Sequence, residues 1–298
     1  MPVLVIGASG FVGSALLDVF GAEAVGTYCE RPRPGLRQLD MRDARAVAKL
    51  VSEIAPSWIL IPAAQPHVDW CEEHESESRD VNVHGPAAVA GVAREMGARV
   101  LFFSTDYVFD GREGPYDESA KPAPINVYGK HKLEAEERLL DSNPRNLVVR
   151  ICGVYGYERP PKNFVMTLIE RLRAGEQVRV PSDQWGTPTY VRDIARAAKT
   201  LVERDAAGVW HVAGPDFLPR YDFARRVCAE FGLNEAQVYS VPSSRLGQRA
   251  KRPAYAGLRA HRAEAVGVSC RNVADGLKAL AGEMAQEIAQ RGTTVEKP

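Results

Sequence analysis

Short apolar runs alternate with longer amphipathic stretches through the first half of the chain. The short runs are rich in β-branched residues and predict strands at Val3–Ile6, Ala24–Tyr28, Trp58–Ile61, Val100–Phe103 and Leu147–Arg150. The longer stretches have a helical period, as at Ala44–Ile54, Pro86–Met96 and Gly129–Leu140. This alternation predicts an α/β fold of the Rossmann type, a doubly wound parallel sheet with helices on both faces. Ligands of such sheets bind beyond the carboxyl ends of the strands.

The pattern changes after about residue 155. Helices are predicted at Asn163–Ala174, Tyr190–Glu203, Tyr221–Phe231 and Val273–Gln290, and strands at Val178–Val180 and Val209–Ala213. The second of these strands is expected to return to the sheet. We therefore predict a dinucleotide-binding domain from residues 1–155 plus about 189–213, and a smaller C-terminal substrate-binding domain from about 156–188 plus 214–298.

Composition excludes several classes of protein. Of the 298 residues, 45% are hydrophobic and 26% are charged, which is typical of a globular protein. Lys plus Arg and Asp plus Glu both total 38, so no basic excess supports nucleic-acid binding. No apolar run approaches the ~20 residues of a membrane span. The five cysteines are scattered and the histidines lack metal-ligand spacing, so we expect no metal site and a reducing, cytoplasmic setting.

A glycine-rich turn follows the first strand and opens a helix. It has the spacing G-x-x-G-x-x-G, which allows a tight turn and a close approach of the backbone to a pyrophosphate at the helix N-terminus. A turn that serves packing alone is the alternative interpretation. The predicted cofactor-binding residues of this turn are Gly7, Ser9, Gly10, Phe11, Val12 and Gly13.

The end of the second strand bears on the choice of cofactor. An acidic residue there binds the ribose 2′-hydroxyl of NAD, whereas arginines accommodate the 2′-phosphate of NADP. Glu30 stands beside Arg31 and Arg33, so NADP(H) is favoured and NAD(H) stays possible. Asp40 and Met41 follow where the adenine is expected, although an aspartate of this segment is equally suited to cap the next helix.

Tyr128 and Lys132 form a Y-x-x-x-K pair. Residues four apart share a helix face, so the phenol and the ammonium can point into one site. We expect the ammonium to lower the pKa of Tyr128 and to favour proton transfer. Such pairs also occur by chance on exposed helix surfaces.

The strand that ends in Leu101-Phe102-Phe103 runs directly into Ser104-Thr105-Asp106. This order places hydroxyl groups at the carboxyl edge of the sheet, where Thr105 could bond the carbonyl oxygen that Tyr128 protonates. A Ser/Thr turn that closes the strand is the alternative interpretation.

Together these motifs resemble those of the extended short-chain dehydrogenase/reductases, and most closely the branch of the dTDP-4-dehydrorhamnose reductases. Ser-Thr-Asp-Tyr-Val-Phe-Asp-Gly is the most specific of them. The resemblance extends over most of the chain and rests on Gly7–Gly13, Asp40–Asp43, Ala63-Ala64, Ser104–Gly111, Asn126–Lys132, Gln184–Thr189 and Arg252-Pro253.

The resemblance implies an NADPH-dependent oxidoreductase that delivers hydride to the C4 carbonyl of a nucleotide-diphospho-4-keto-6-deoxy sugar. Thr105 would orient the keto group, Tyr128 would donate the proton, and Lys132 would hold the nicotinamide ribose. Ala63 and Ala64 would contact the cofactor, and a homodimer is possible. The residues implied on the substrate side are Asp106, Asn163 and Gln184.

The chain departs from the family pattern at Pro62, where an asparagine is usual, and in Arg150-Ile151-Cys152-Gly153, where a tryptophan commonly follows the arginine motif. It departs again at Arg259, where an aspartate is usual after the leucine. These positions leave the identity of the sugar open. A second hypothesis is a cofactor-binding regulatory protein, because the beta subunit of methionine adenosyltransferase resembles the same branch and is also Arg-rich after the second strand. A third is a sugar-nucleotide epimerase that retains and regenerates NAD.

Overall fold

A computed structural model describes residues 2–294, and Met1 and residues 295–298, at the ends of the two predicted domains, lie outside it. The strands are β1 (Val3–Val5), β2 (Ala24–Tyr28), β3 (Arg37–Gln38), β4 (Trp58–Ile61), β5 (Arg99–Thr105), β6 (Leu147–Ile151), β7 (Val154–Tyr155), β8 (Val178–Pro181), β9 (Trp185–Gly186), β10 (Thr189–Tyr190), β11 (Gly208–Val212), β12 (Leu218–Pro219) and β13 (Val238–Val241). The α-helices are α1 (Phe11–Phe20), α2 (Ala44–Ile54), α3 (Val68–Glu73), α4 (Glu75–Arg79), α5 (Gly85–Glu95), α6 (Val127–Ser142), α7 (Phe164–Arg173), α8 (Val191–Glu203), α9 (Arg220–Phe231), α10 (His261–Glu264) and α11 (Val273–Thr294).

The central sheet has seven parallel strands in the order β3-β2-β1-β4-β5-β6-β11. The chain starts in the middle of the sheet, winds outward in one direction and then returns to wind in the other. This arrangement confirms the predicted Rossmann-type fold. The predicted strand at Val209–Ala213 also returns to the sheet, as β11 beside β6.

Both faces of the sheet are covered, because alternate residues of a strand point to opposite sides. Val3 and Val5 pack into one buried cluster with α1 and α8. Leu4 packs into a second cluster on the opposite face with α2, α5 and α6. The burial of both faces explains why the strands are nearly continuous apolar runs.

A third buried cluster lies beyond the carboxyl edge of the sheet. It is built from α7, β8, α9, β13 and the first turns of α11, and Phe223 and Leu277 are among its members. Ala263 and Val268, which precede α11, pack instead with α1 and α8. The boundaries of the two domains stay a prediction. No helix within residues 2–294 combines the length and the apolarity needed to cross a membrane.

Candidate active site

The glycine turn lies between β1 and α1, and its shape excludes side chains. Gly7 has a φ of 91°, and its N–H donates to Thr27 Oγ1 at 3.2 Å. A Cβ atom on Gly7 would lie 2.7 Å from Ala63 Cβ, and one on Gly13 would lie 2.2 Å from the Gly7 carbonyl oxygen. Gly10 gives the first turn of α1 no side-chain cap, so backbone N–H groups stay available to an anion.

The segment after β2 carries the residues that bear on the choice of cofactor. Glu30, Arg31 and Arg33 are all exposed. Arg42 is bound to Asp40 at 2.6 Å, whereas Arg31 and Arg33 have no salt-bridge partner within the described part of the chain. The hydrogen bond from Arg42 lowers the pKa of Asp40.

The cap expected in this segment forms at its last residue. Asp43 accepts from the backbone N–H groups of Arg45 and Ala46 at 3.0 and 3.1 Å, so it is the N-cap of α2. Met41 is buried against the face of the sheet that α2 covers. The cofactor roles of Asp40 and Met41 stay predictions.

The loop after β4 lies against the glycine turn. The Ala63 N–H donates to the Ile6 carbonyl at 3.2 Å, and Ala63 and Ala64 are partly buried. The side chain of Asn82 binds both backbone groups of Gln65, with its oxygen 2.9 Å from the amide nitrogen and its nitrogen 3.1 Å from the carbonyl oxygen. Asn82 therefore fixes the loop that forms one side of the predicted cofactor site.

A buried polar chain continues from this loop to α6. Asn82 also donates to Ser78 Oγ at 3.2 Å, and Ser78 Oγ lies 2.9 Å from His131 Nδ1. All three side chains are buried, and burial lowers the pKa of His131. Sequence patterns gave no signal for this chain of contacts, since its members come from separate elements.

The helix α6 carries the Y-x-x-x-K pair and begins at a well-defined cap. Asn126 Oδ1 accepts from the Gly129 N–H at 2.8 Å, and Asn126 Nδ2 donates to the Lys251 carbonyl at 2.9 Å. The Val127 N–H donates to Glu72 Oε1 at 2.8 Å. These bonds fix the first turn of the helix and hence the position of Tyr128.

Lys132 is fully buried beneath the end of β5. Its ammonium donates to the Phe103 carbonyl at 2.6 Å and lies 3.7 Å from the centre of the Phe102 ring. Desolvation by burial lowers the pKa of Lys132 to about 7. The lysine is therefore an internal group at the carboxyl edge of the sheet and not one half of a surface pair.

Tyr128 is half-buried, with its ring edge-on to that of Tyr107 at 6.2 Å between centres. Desolvation and then the negative charge of Asp106 raise its pKa, and hydrogen bonding by Thr105 works in the opposite direction. The expectation of a lowered pKa is wrong for this state of the protein. The phenol is neutral near pH 7, which is the form that can donate a proton.

Thr105 ends β5, and besides its contact with Tyr128 it bonds the two residues that follow it. Its hydroxyl donates to Asp106 Oδ1 at 3.2 Å and accepts from the Tyr107 N–H at 3.1 Å. The turn expected for this segment therefore forms beside the predicted catalytic position. Asp106 is buried, which raises its pKa, and its second oxygen accepts from Cys152 Sγ at 3.0 Å.

A pocket of about 400 Å³ opens next to these residues, between α7, β8 and the segment 246–252. Tyr107 and Gln184 line it, and the Arg220 guanidinium lies 4.1 Å from the centre of the Phe164 ring at its wall. Of the described residues, none with an acidic side chain lines it. Its cationic lining comprises Lys162, Arg171, Arg179, Arg220 and Arg252.

The three predicted substrate residues lie in different settings. Gln184 lines the pocket and donates to Gln248 Oε1 at 2.8 Å. Asn163 is the N-cap of α7, and its amide donates to the Gly156 carbonyl at 2.9 Å. Asp106 lies inside the protein, bonded to Thr105 and Cys152. Their contacts with a substrate stay predictions.

Most of the cationic pocket was not found from the sequence. Arg252 belongs to an Arg-Pro motif. The other cationic residues of the pocket are scattered over α7, β8, α9 and their flanks, at Lys162, Arg171, Arg179 and Arg220. No local motif marks such a set, because only the packing of α7 against β8 and α9 brings it together. Among the described residues, no group of three or more His, Cys, Asp or Glu side chains is placed to hold a metal ion.

The parallel sheet, its glycine turn and the buried lysine of the Y-x-x-x-K helix define an extended short-chain dehydrogenase/reductase. The chain belongs to the family described as the RmlD substrate binding domain, whose model matches residues 1–286. The dTDP-4-keto-6-deoxy-D-glucose reductase of Streptomyces niveus is 34% identical over 255 residues, which cover 85% of this chain and 86% of that protein. Methionine adenosyltransferase 2 subunit beta of Danio rerio is 33% identical over 278 residues, covering 90% and 85%.

Solved structures agree with this assignment. A dTDP-4-dehydrorhamnose reductase from Clostridium acetobutylicum superimposes with a TM-score of 0.87 at 30% identity, covering 96% of this chain and 100% of that one. The dTDP-4-dehydrorhamnose reductase of Bacillus anthracis, in complex with NADP, has a TM-score of 0.83 at 28% identity, covering 95% and 100%.

Proposed function

We propose that the protein is an NADPH-dependent reductase of a nucleotide-diphospho-4-keto-6-deoxy sugar. The observation that carries the proposal is the burial of Lys132 at the end of β5, on the helix whose Tyr128 lies against Tyr107 at the lining of the cationic pocket. The burial of Lys132 costs free energy, which a catalytic role explains.

The residues present fit a dinucleotide. Gly7 and Gly13 keep the turn free of side chains, and the uncapped first turn of α1 suits a pyrophosphate. Arg31 and Arg33 are exposed after β2, which favours the 2′-phosphate of NADP over the bare ribose of NAD. The NADP bound by the Bacillus anthracis reductase supports the same choice.

The pocket fits a diphosphate. A guanidinium group binds two phosphate oxygens at once, and no acidic side chain of the described residues lines the cavity. Arg179, Arg220 and Arg252 stand around one cavity of about 400 Å³ with Tyr107 and Phe164 at its wall. We therefore propose a nucleotide-linked sugar as the substrate, with Gln184 at the sugar end.

The reaction is the reduction of a ketone to an alcohol. NADPH, when bound, supplies the hydride that adds to the C4 carbonyl carbon. Tyr128 gives its phenolic proton to the carbonyl oxygen and later recovers one from water, and Thr105 hydrogen-bonds the same oxygen. Lys132 holds the nicotinamide ribose and, when protonated, stabilises the phenolate left on Tyr128.

The test is the loss of NADPH absorbance with dTDP-4-keto-6-deoxyglucose and its 3,5-epimer as substrates, repeated with NADH. We expect turnover that Tyr128→Phe reduces by at least about a thousandfold while NADPH binding persists. Tyr239→Phe, an exposed tyrosine outside the site, is the matched control and keeps wild-type activity. NADPH binding without turnover of either sugar would refute this assignment.

A regulatory role is the second candidate, favoured by the similarity to methionine adenosyltransferase 2 subunit beta. It predicts a stable complex with a separate catalytic protein and no sugar turnover. An epimerase would instead copurify with tightly held NAD and would not consume NADPH. A homodimer stays a prediction that sedimentation of the purified protein can test.

A further inference from the structure

The acidic helix α3 and the segment Leu246–Arg252, called here the strap, lie against each other across one side of the pocket. The sequence of α3 and α4 is acidic and reads most simply as a solvated surface. In the structure, however, two of its carboxylates are directed at the strap.

Asp69 makes the inner contact. One oxygen of Asp69 accepts from the Ala250 N–H at 2.8 Å and forms a salt bridge with Arg252 Nη1. The Arg252 side chain is only 12% exposed and also donates to the Ala250 carbonyl at 2.7 Å. The hydrogen bond from Arg252 lowers the pKa of Asp69, so this carboxylate stays charged at neutral pH.

Glu73 makes the outer contact, one helical turn further along α3. Its carboxylate pairs with Arg249 Nη1 at 2.6 Å, and this pair is open to water, with the arginine side chain 69% exposed. A third bond comes from α6, where Asn126 Nδ2 donates to the Lys251 carbonyl at 2.9 Å. Arg249, Ala250, Lys251 and Arg252 are therefore each held by a neighbouring element.

The strap forms part of the pocket itself. Leu246, Gln248 and Arg252 line the cavity, and Gln248 accepts the side-chain hydrogen bond of Gln184 on its other side. The helix that holds the strap also holds the catalytic helix, because Glu72 accepts from the Val127 N–H. One short helix thus sets the position of both the pocket arginine and the start of α6.

We propose that Asp69 and Glu73 are positioning residues for the substrate site, which latch the strap over the pocket and aim Arg252 at the phosphates of the substrate. The proposal rests on the proposed function for the identity of the ligand. The contacts of Asp69 and Glu73 with the strap, called here the latch, are present in the free protein, so they can be tested without turnover.

Trypsin provides the direct test, since the strap contains cleavage sites after Arg249 and Lys251. We expect Asp69→Asn to accelerate cleavage at these two sites by roughly five- to thirtyfold, the factor that the loss of a partly buried charged contact makes in an opening equilibrium. Glu73→Gln removes a pair that is open to water, so we expect a smaller acceleration of about two- to fivefold. Mass spectrometry of timed digests locates and counts the cuts. Cleavage at the wild-type rate in both variants would overturn the proposal.

Glu77→Gln is the matched control. Glu77 belongs to the same acidic stretch, on α4, and has no salt bridge within residues 2–294, so its strap is expected to be cut at the wild-type rate. If trypsin cuts the strap of this variant as fast as that of Asp69→Asn, the cause is a general effect of charge, and the proposal is also overturned. The pair Glu73→Arg with Arg249→Glu restores the contact with the charges exchanged, and should return cleavage after Lys251 toward the wild-type rate.

Calorimetry of thymidine diphosphate binding tests whether the contacts of Asp69 and Glu73 with the strap affect the substrate site. We expect Asp69→Asn to weaken this binding roughly five- to thirtyfold while NADPH binding is unchanged. With turnover established, the KM for the keto sugar rises by the same factor and kcat changes little. If Asp69→Asn speeds cleavage of the strap but leaves the binding of thymidine diphosphate unaltered, the positioning role is refuted. If the wild-type protein binds thymidine diphosphate but does not turn over the keto sugar, only the reductase function is refuted.

Discussion

At the scale of single residues, burial decides the chemistry of the candidate site. The sequence pairs Tyr128 with Lys132 and predicts a lowered phenol pKa, but desolvation dominates and raises it. The same burial lowers the pKa of Lys132 to about 7. A spacing of four residues identifies the pair, whereas its protonation state depends on side chains from other elements.

Lys132→Met tests the burial of this cation. The unfolded lysine has a pKa near ~10.4, so between that value and about 7 the unfolded chain binds more protons, and the free energy of unfolding rises with pH. The loss of stability caused by burying the charged Lys132 is therefore complete below pH 7 and vanishes above about pH 10. We expect the substitution to raise the free energy of unfolding by roughly 1–3 kcal/mol at pH 6 and by little at pH 10, while abolishing turnover.

Urea unfolding at the two pH values measures this difference. Lys130→Met, an exposed neighbour on the same helix, is the control and should change stability by less than about 0.5 kcal/mol. A Lys132→Met protein that is less stable than wild type at pH 6 would mean that the bond to Phe103 outweighs desolvation.

Among the helices and strands, hydrophobic periodicity predicts the elements well, whereas the start of one helix is set by a cap that carries no periodic signal. The helix predicted at Ala44–Ile54 has those bounds as α2, and the strand predicted at Ala24–Tyr28 has those of β2. The helix predicted at Gly129–Leu140 begins earlier, at Val127, because Asn126 caps it. A cap depends on one side chain and carries no period, so periodicity places the start of α6 two residues too late.

Asn126→Ala tests what this cap does for catalysis. The variant loses the cap and the bond to Lys251, so we expect a loss of roughly 1–3 kcal/mol in the free energy of unfolding and a severalfold fall in kcat, because Tyr128 lies in the first turn. Asn272→Ala removes an exposed cap at the start of α11 and should cost about 1 kcal/mol without changing kcat. Equal kcat values in the two variants would show that the Asn126 cap does not influence the catalysed reaction.

At the scale of the whole molecule, a buried carboxylate joins the layer of α8 to the segment that leads into α11. Asp193 on α8 is 1% exposed, accepts from the Arg271 N–H at 2.7 Å and forms salt bridges with Arg196 and Arg271. α8 packs in the cluster beneath the sheet, whereas α11 packs in the cluster beyond its carboxyl edge. We therefore expect Asp193 to couple the stability of the two clusters.

Asp193→Asn weakens the charged hydrogen bonds of a buried side chain to two partly exposed arginines, so we expect a loss of roughly 1–3 kcal/mol in the free energy of unfolding. Thermal unfolding followed by circular dichroism and by tryptophan fluorescence should also separate into two transitions, because the clusters no longer unfold together. Asp141→Asn, an exposed position on α6, is the control with a change below about 0.5 kcal/mol. If circular dichroism and tryptophan fluorescence report one transition at the wild-type stability, Asp193 does not couple the two clusters.

The Rossmann-type fold, the glycine turn and the candidate residues Thr105, Tyr128 and Lys132 can be read from the amino-acid sequence, because each depends on residues within one strand, turn or helix. The pKa values, the cationic pocket and the contacts of α3 with the strap follow from the folded arrangement of distant elements. Asp69 and Arg252 are 183 positions apart, and no local pattern relates them. Hydrophobic periodicity depends on residues that are neighbours in the sequence, so it can be recognised from the sequence. Desolvation and charge pairing depend on which distant elements pack together, so they require the folded structure.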